Sequence, residues 1–233
     1  MKITPVLFGS LISLMATTAS AEMISVEITN LTQSMYFTPL MVTSHTDTAD
    51  VFDVGMTASI ELQAMAEGGD LAGLTTLLDS VGAASMANPA GGLLAPASST
   101  SVMNLDTGDN NLLSIVAMLL PTNDGFVGLD AWPIPATAGT YTIMLNGYDA
   151  GTEVNDERVV ADSGMPGVVG IPANPGGNGG TGGTGVAMTE ANTTVHIHRG
   201  NLGDNQLTGG SSDLVSSVHR WLNPVAKVVV TVQ

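Results

Sequence analysis

Two acidic segments hold the residues best suited to chemistry in this chain. Pro121-Thr122-Asn123-Asp124 closes one apolar run, and Asp149-Ala150-Gly151-Thr152-Glu153 closes the next. Hard cations such as calcium take oxygen ligands from flexible loops, so Asp149 and Glu153 can fold across Gly151 onto one ion, with Asp124 joining from a neighbouring loop. The same residues also suit two plain polar turns, since Asn, Asp and Gly are ordinary turn formers. The histidines form a second set: His45, His196, His198 and His219. His196 and His198 alternate on an expected strand and so share a face, a spacing that offers two imidazole nitrogens to zinc or copper. His45 or His219 would complete such a site. Alternatively, the rings hydrogen-bond loop backbone around the His198-Arg199-Gly200 turn.

The string PTNDGFVGLD over 121–130, followed by YDAGTE over 148–153, resembles the signature of the spondin N-terminal domain family in its bacterial, secreted form. Val26 to Thr32, the Ala66-Glu67-Gly68-Gly69 element, and the tail segments His196 to Gly200 and His219-Arg220-Trp221 fit the same pattern. The resemblance implies a calcium-bearing, C2-like antiparallel β-sandwich that binds extracellular partners and catalyses nothing. It also implies calcium ligation by the acidic residues Asp124, Asp149 and Glu153. Animal relatives carry cysteines and often a Trp after the first Asp, whereas this chain has Gly125 and no cysteine.

Composition points the same way independently. A charged start at Lys2, an apolar stretch from Val6 to Ala16 and the small residues Ala19-Ser20-Ala21 read as a signal peptide over 1–21, which places the mature chain in the periplasm or outside the cell. That stretch is too short to span a bilayer and nothing comparable follows it, so no transmembrane segment is expected. Residues 22–233 suit a single β domain large enough to hold its own core without disulfides. The absence of cysteine excludes thiol catalysis, zinc thiolates and blue-copper chemistry. The formal charge of −16 becomes more negative once Lys2 is removed, leaving no basic cluster for a nucleic-acid backbone. The expected partner is an extracellular or cell-surface protein or glycan.

An enzyme is not expected. The chain has no Gly-x-Ser-x-Gly elbow and no His-Glu-x-x-His helix. Asp149 and Glu153 could be an acid–base pair for glycoside hydrolysis, but a sugar site wants aromatic platforms, and only two Trp and three Tyr are present. The alternative to a calcium-binding module is a periplasmic copper- or zinc-binding protein built on the four histidines.

The elements that must position these residues are mostly strands. Residues 23–31 alternate, with Ile24, Val26 and Ile28 on one face. A second run over 35–43 continues the sheet. Between Thr57 and Ser80 the apolar period becomes helical around Gly68-Gly69, which predicts two short helices. Strands follow at 100–105, at 112–120 (apolar enough to be buried on both faces), and at 140–148. Both acidic motifs can face one way only if the chain returns across the sandwich, and the 130–139 segment is the expected crossover. Residues 163–185, rich in Gly and Pro, read as a mobile surface loop. Two last strands are expected over 186–198 and 224–232.

Overall fold

The structure, a computed structural model, describes residues 22–177 and 179–233. The signal peptide read over 1–21 lies outside the described residues. The strands are β1 (Met23–Asn30), β2 (Tyr36–Phe37) and β3 (Met41–His45), followed by helices α1 (Ile60–Gly68) and α2 (Ala72–Ser80). Then come β4 (Ala84–Ala87), β5 (Ser99–Asp106), β6 (Leu112–Leu120), β7 (Gly125–Pro133), β8 (Gly139–Asp149), β9 (His196–Ile197), the single turn α3 (Ser216–His219) and β10 (Ala226–Val232). Every ladder between these strands is antiparallel, in the order β4-β3-β6-β7-β8-β10-β1-β5, with β2 beside β6 and β9 beside β8. The expected fold class, an antiparallel β-sandwich with short helices, is the one observed.

Strand β8 belongs to both layers. Its first part, Gly139 to Leu145, pairs with β10, and its last part, Asn146 to Asp149, pairs with β7. The handover falls between Leu145 and Asn146, and just beyond it, at Gly147, a Cβ would lie 2.6 Å from the Trp221 ring. Asn223 bridges this point, accepting from the Gly147 N–H at 2.6 Å. One layer is therefore β5-β1-β10-β8 and the other β8-β7-β6-β3-β4.

Two cores result, and β6 serves both. Leu113, Ile115, Ala117 and Leu119 point between the layers, against Ile24, Val26 and Ile28 of β1 and Val228 and Val230 of β10. Val116, Met118 and Leu120 point the other way, against Leu62, Met65, Leu74 and Leu78 of the two helices. A strand covered on both faces reads as an unbroken apolar run rather than an alternating one, and that is why 112–120 has the sequence it has. Each large aliphatic side chain buried here contributes roughly 1.5–3 kcal/mol. The helices form where the spacing predicts them. Ser59 caps α1 by accepting the Leu62 N–H at 3.1 Å, and Gly69, at φ 71°, ends it with a bond to the Met65 carbonyl.

Three expectations need correction. No long crossover returns the chain: Gly125 to Pro133 is itself a strand, and the meander β6-β7-β8 brings the ends of β6 and β8 to the same side. The run over 35–43 is broken between β2 and β3 at Thr38-Pro39-Leu40, because Pro39 has no N–H for a ladder. The strand over 186–198 shrinks to β9, because side chains satisfy the preceding backbone locally. Glu190 Oε1 accepts from the N–H groups of Ala191 and Asn192, and Asn192 Oδ1 accepts from that of Thr194.

Candidate functional site

The two acidic motifs meet because β7 runs between β6 and β8. Gly125 and Asp149 are direct partners across the β7–β8 ladder, so the β6–β7 turn sits against the segment that follows β8. Thr122 shapes that turn: its hydroxyl donates to the Leu119 carbonyl at 2.5 Å and accepts from the Gly125 N–H at 3.0 Å. A Cβ on residue 125 would lie 2.7 Å from the Thr122 hydroxyl, which is a local reason for glycine there. After β8 the chain turns at Gly151, φ 70°, and its Ala150 N–H bonds the Asp124 carbonyl at 3.2 Å.

The structure thus brings Asp124, Asp149 and Glu153 together and buries them, at 0%, 2% and 3% exposure. Asp124 Oδ2 accepts from the Thr152 N–H at 2.8 Å, the Glu153 N–H at 3.1 Å and the Thr152 hydroxyl at 3.2 Å. Asp149 Oδ1 accepts from the Gly151 N–H at 2.8 Å, and its Oδ2 from Asn155 Nδ2 at 2.6 Å. Glu153 Oε2 accepts from the Gly170 N–H at 3.0 Å and from Asn123 Nδ2 at 3.3 Å. Asp124 Oδ1 and Glu153 Oε1 are buried with no hydrogen-bond partner.

Among the described residues no lysine or arginine pairs with any of the three. Burial, and then the charge of Asp149, pushes the Asp124 carboxyl up to about 7. Burial raises Asp149 as well, and it pushes Glu153 up to about 8, with Glu67 and Asp124 adding repulsion. Burial without a lysine or arginine partner among the described residues favours the protonated form of these carboxyls over the charged one.

The histidines are placed differently from one another. His45 ends β3 at the start of β6, opposite the acidic end, and hydrogen-bonds the Thr46 carbonyl and the Ser114 hydroxyl. His219 accepts the Val215 N–H on Nδ1. His196 donates Nδ1–H to the Thr194 carbonyl, which leaves Nε2 facing Asp149 Oδ2 at 3.8 Å. His198 accepts the Gly200 N–H on Nδ1, which places its proton on Nε2, where it donates to Asn155 Oδ1 at 3.1 Å. Burial pushes its pKa down to about 3, so the ring is neutral. Both of its nitrogens are spent, and what they do is orient Asn155, which in turn holds Asp149.

Sequence reasoning missed the amides and the outer carboxylates. Asn123 Nδ2 also donates to Asp156 Oδ1 at 3.0 Å, and its Oδ1 accepts from the Glu157 N–H at 3.2 Å. Glu157 accepts from the N–H groups of Leu202 and Gly203, and Asp213 from those of Val159, Thr181 and Gly183. Glu67 accepts from Gly167. The glycine-rich segment over 163–185, expected as a mobile loop, is fastened at Gly167, Gly170, Thr181 and Gly183 by carboxylates on main-chain N–H groups. The signal available in the sequence was the pairing of many acids with many glycines in a chain almost without bases.

Among the described residues no group of three or more His, Cys, Asp or Glu side chains could by itself hold a metal ion. The acidic end offers two unpartnered carboxylate oxygens instead. A hard cation bound there would draw its remaining ligands from main-chain carbonyls and water, as calcium commonly does. The two unpartnered donors are carboxylate oxygens, which fit a hard cation such as calcium.

An antiparallel β-sandwich carrying buried acids at one end defines the class. The family model described as Spondin_N matches residues 29–157, more than half of the chain, and the chain belongs to the spondin N-terminal domain family. The match includes Asp124, Asp149 and Glu153 and ends before His196, His198 and His219. No curated protein matches the chain.

Proposed function

We propose that this chain is a non-enzymatic binding module that works outside the cytoplasm. Its acidic end takes up one calcium ion through Asp124, Asp149 and Glu153 and is presented to an extracellular or cell-surface protein or glycan. The observation that carries this reading is the pair of buried, unpartnered oxygens, Asp124 Oδ1 and Glu153 Oε1, in a cluster whose three acids pair with no lysine or arginine among the described residues. An unpaired buried carboxylate is costly, and a bound cation offsets that cost. The burial of all three acids argues against catalysis, because a general acid or base must reach a substrate. Membership of a family of extracellular-type modules supports the location. Among the described residues no helix is long and apolar enough to cross a membrane.

Elemental analysis of protein purified without chelator, paired with melting curves with and without EDTA, tests the reading. About one calcium per chain and a melting temperature lowered by EDTA are expected. Zinc or copper released by His196→Ala, or melting indifferent to calcium, would overturn it.

A further inference from the structure

Glu153 has two oxygens with two different tasks. Oε1 is the unpartnered oxygen of the acidic end, while Oε2 holds the Gly170 N–H at 3.0 Å. Three residues earlier, the Gly167 N–H is held at 2.8 Å by Glu67, the carboxylate whose charge also bears on Glu153. Gly167, at φ 80°, sits in a tight turn closed by a 2.9 Å bond from the Val168 N–H to the Met165 carbonyl. Residues 163–170 therefore form a strap over the acidic end, and both of its carboxylate fastenings belong to that end. The strap presents Met165, Val168 and Val169 to solvent, at 66%, 41% and 49% exposure.

The next part of the glycine-rich segment is held elsewhere. Thr181 and Gly183 donate to Asp213 Oδ1, both at 2.8 Å, and Asp213 takes no part in the acidic cluster. One segment thus carries two independent fastenings, of which only the first involves a group that a cation would touch.

We propose that Glu153 couples the ion to the strap, so that calcium at the acidic end seats residues 163–170 and presents the Met165–Val169 turn in one conformation. The inference rests on the calcium reading given above. With an ion at Oε1, Glu153 is held in place and Oε2 stays aimed at Gly170. Without one, Glu153 either stays protonated, which makes Oε2 a weaker acceptor, or ionises and is repelled by Glu67 and Asp124, and both changes loosen the grip on the strap.

Residue-resolved amide exchange by NMR on the mature protein, in EDTA and in saturating calcium, tests this, with calorimetric calcium titration alongside. Exchange at Gly167 and Gly170 is expected to slow about tenfold or more in calcium, the scale of one charge-assisted hydrogen bond. Exchange at Thr181 and Gly183 is expected to stay within about twofold, since their acceptor does not change. Glu153→Gln keeps the shape and an acceptor for Gly170 but removes the charge, so its strap should no longer respond to calcium. Asp213→Asn should loosen Thr181 and Gly183 while Gly167 and Gly170 keep their response. Calcium that binds and raises the melting temperature but leaves Gly167 and Gly170 unchanged overturns the coupling alone. No heat of binding and no melting shift overturns the calcium reading, and the coupling with it.

Discussion

At the level of single residues, the arrangement turns on carboxyls whose two oxygens are treated unequally. Asp124 receives three hydrogen bonds on Oδ2 and none on Oδ1. Asp124→Asn should therefore keep the turn, since an amide oxygen can take the same three bonds. It should abolish the gain from calcium, about 2.7 kcal/mol at a hundredfold excess over the dissociation constant. Thermal melts in EDTA and in calcium would separate the two effects, and an equal loss in both would sink the assignment. The pH dependence follows from the same groups. Asp124 and Glu153 titrate higher in the folded chain, near 7 and 8, than the ordinary 3.8 and 4.5. Through these two groups the folded state binds more protons than the unfolded one between about pH 4 and 8, so their contribution to stability falls as pH rises through that window, whereas buried His198 works the other way below about 6.5. In EDTA the melting temperature should therefore drop from pH 7 to pH 8.5, and calcium, which binds the ionised acids, should flatten or reverse the slope. A melting temperature that climbs over that range in EDTA would contradict the shifts.

Among the elements, β8 has the least freedom, because it must leave one layer and join the other within a few residues. Gly147→Ala would drive a methyl into Trp221 and Leu119, 2.6 and 3.1 Å away, and should cost about 1–3 kcal/mol in urea unfolding, with a changed tryptophan emission. Leu119→Ala, in the core between the layers, should cost about 2–5 kcal/mol. An unchanged midpoint in either variant would mean the layers are not joined this way. These elements differ in how plainly they could be read from the sequence. The alternation of β1 and β10, the two-sided apolar run of β6 and the helical period of α1 and α2 are local patterns, and each appears where expected. Strand β7 was obscured because Gly125, Gly128 and the acids at its ends look like turn residues, while its pairing with β6 and β8 is a tertiary fact. Spacing and family likeness single out Asp124, Asp149 and Glu153, and the pairing of Gly125 with Asp149 is what sets their two segments side by side. Asn123, Asn155 and the role of His198 were not legible, since they touch the acids only after residues far apart in the chain are folded together.

For the molecule as a whole, charge balance is the governing property. At −16 the chain repels itself, and raising sodium chloride from low to moderate concentration should raise the melting temperature in EDTA. The increment should be smaller in calcium, because part of the repulsion has been removed at its source, and equal increments would place the repulsion away from the acidic end. The same scarcity of bases explains how the loops are held: acids accept from main-chain N–H groups because almost no lysine or arginine is available to pair with them. That economy has a bearing on survival among digestive enzymes. Beyond Lys2, proteases that cut after lysine or arginine find only Arg158, Arg199, Arg220 and Lys227. From Glu22 to Arg158 there is no such bond, so the first eight strands form one stretch that trypsin-like enzymes cannot open even when it is unfolded.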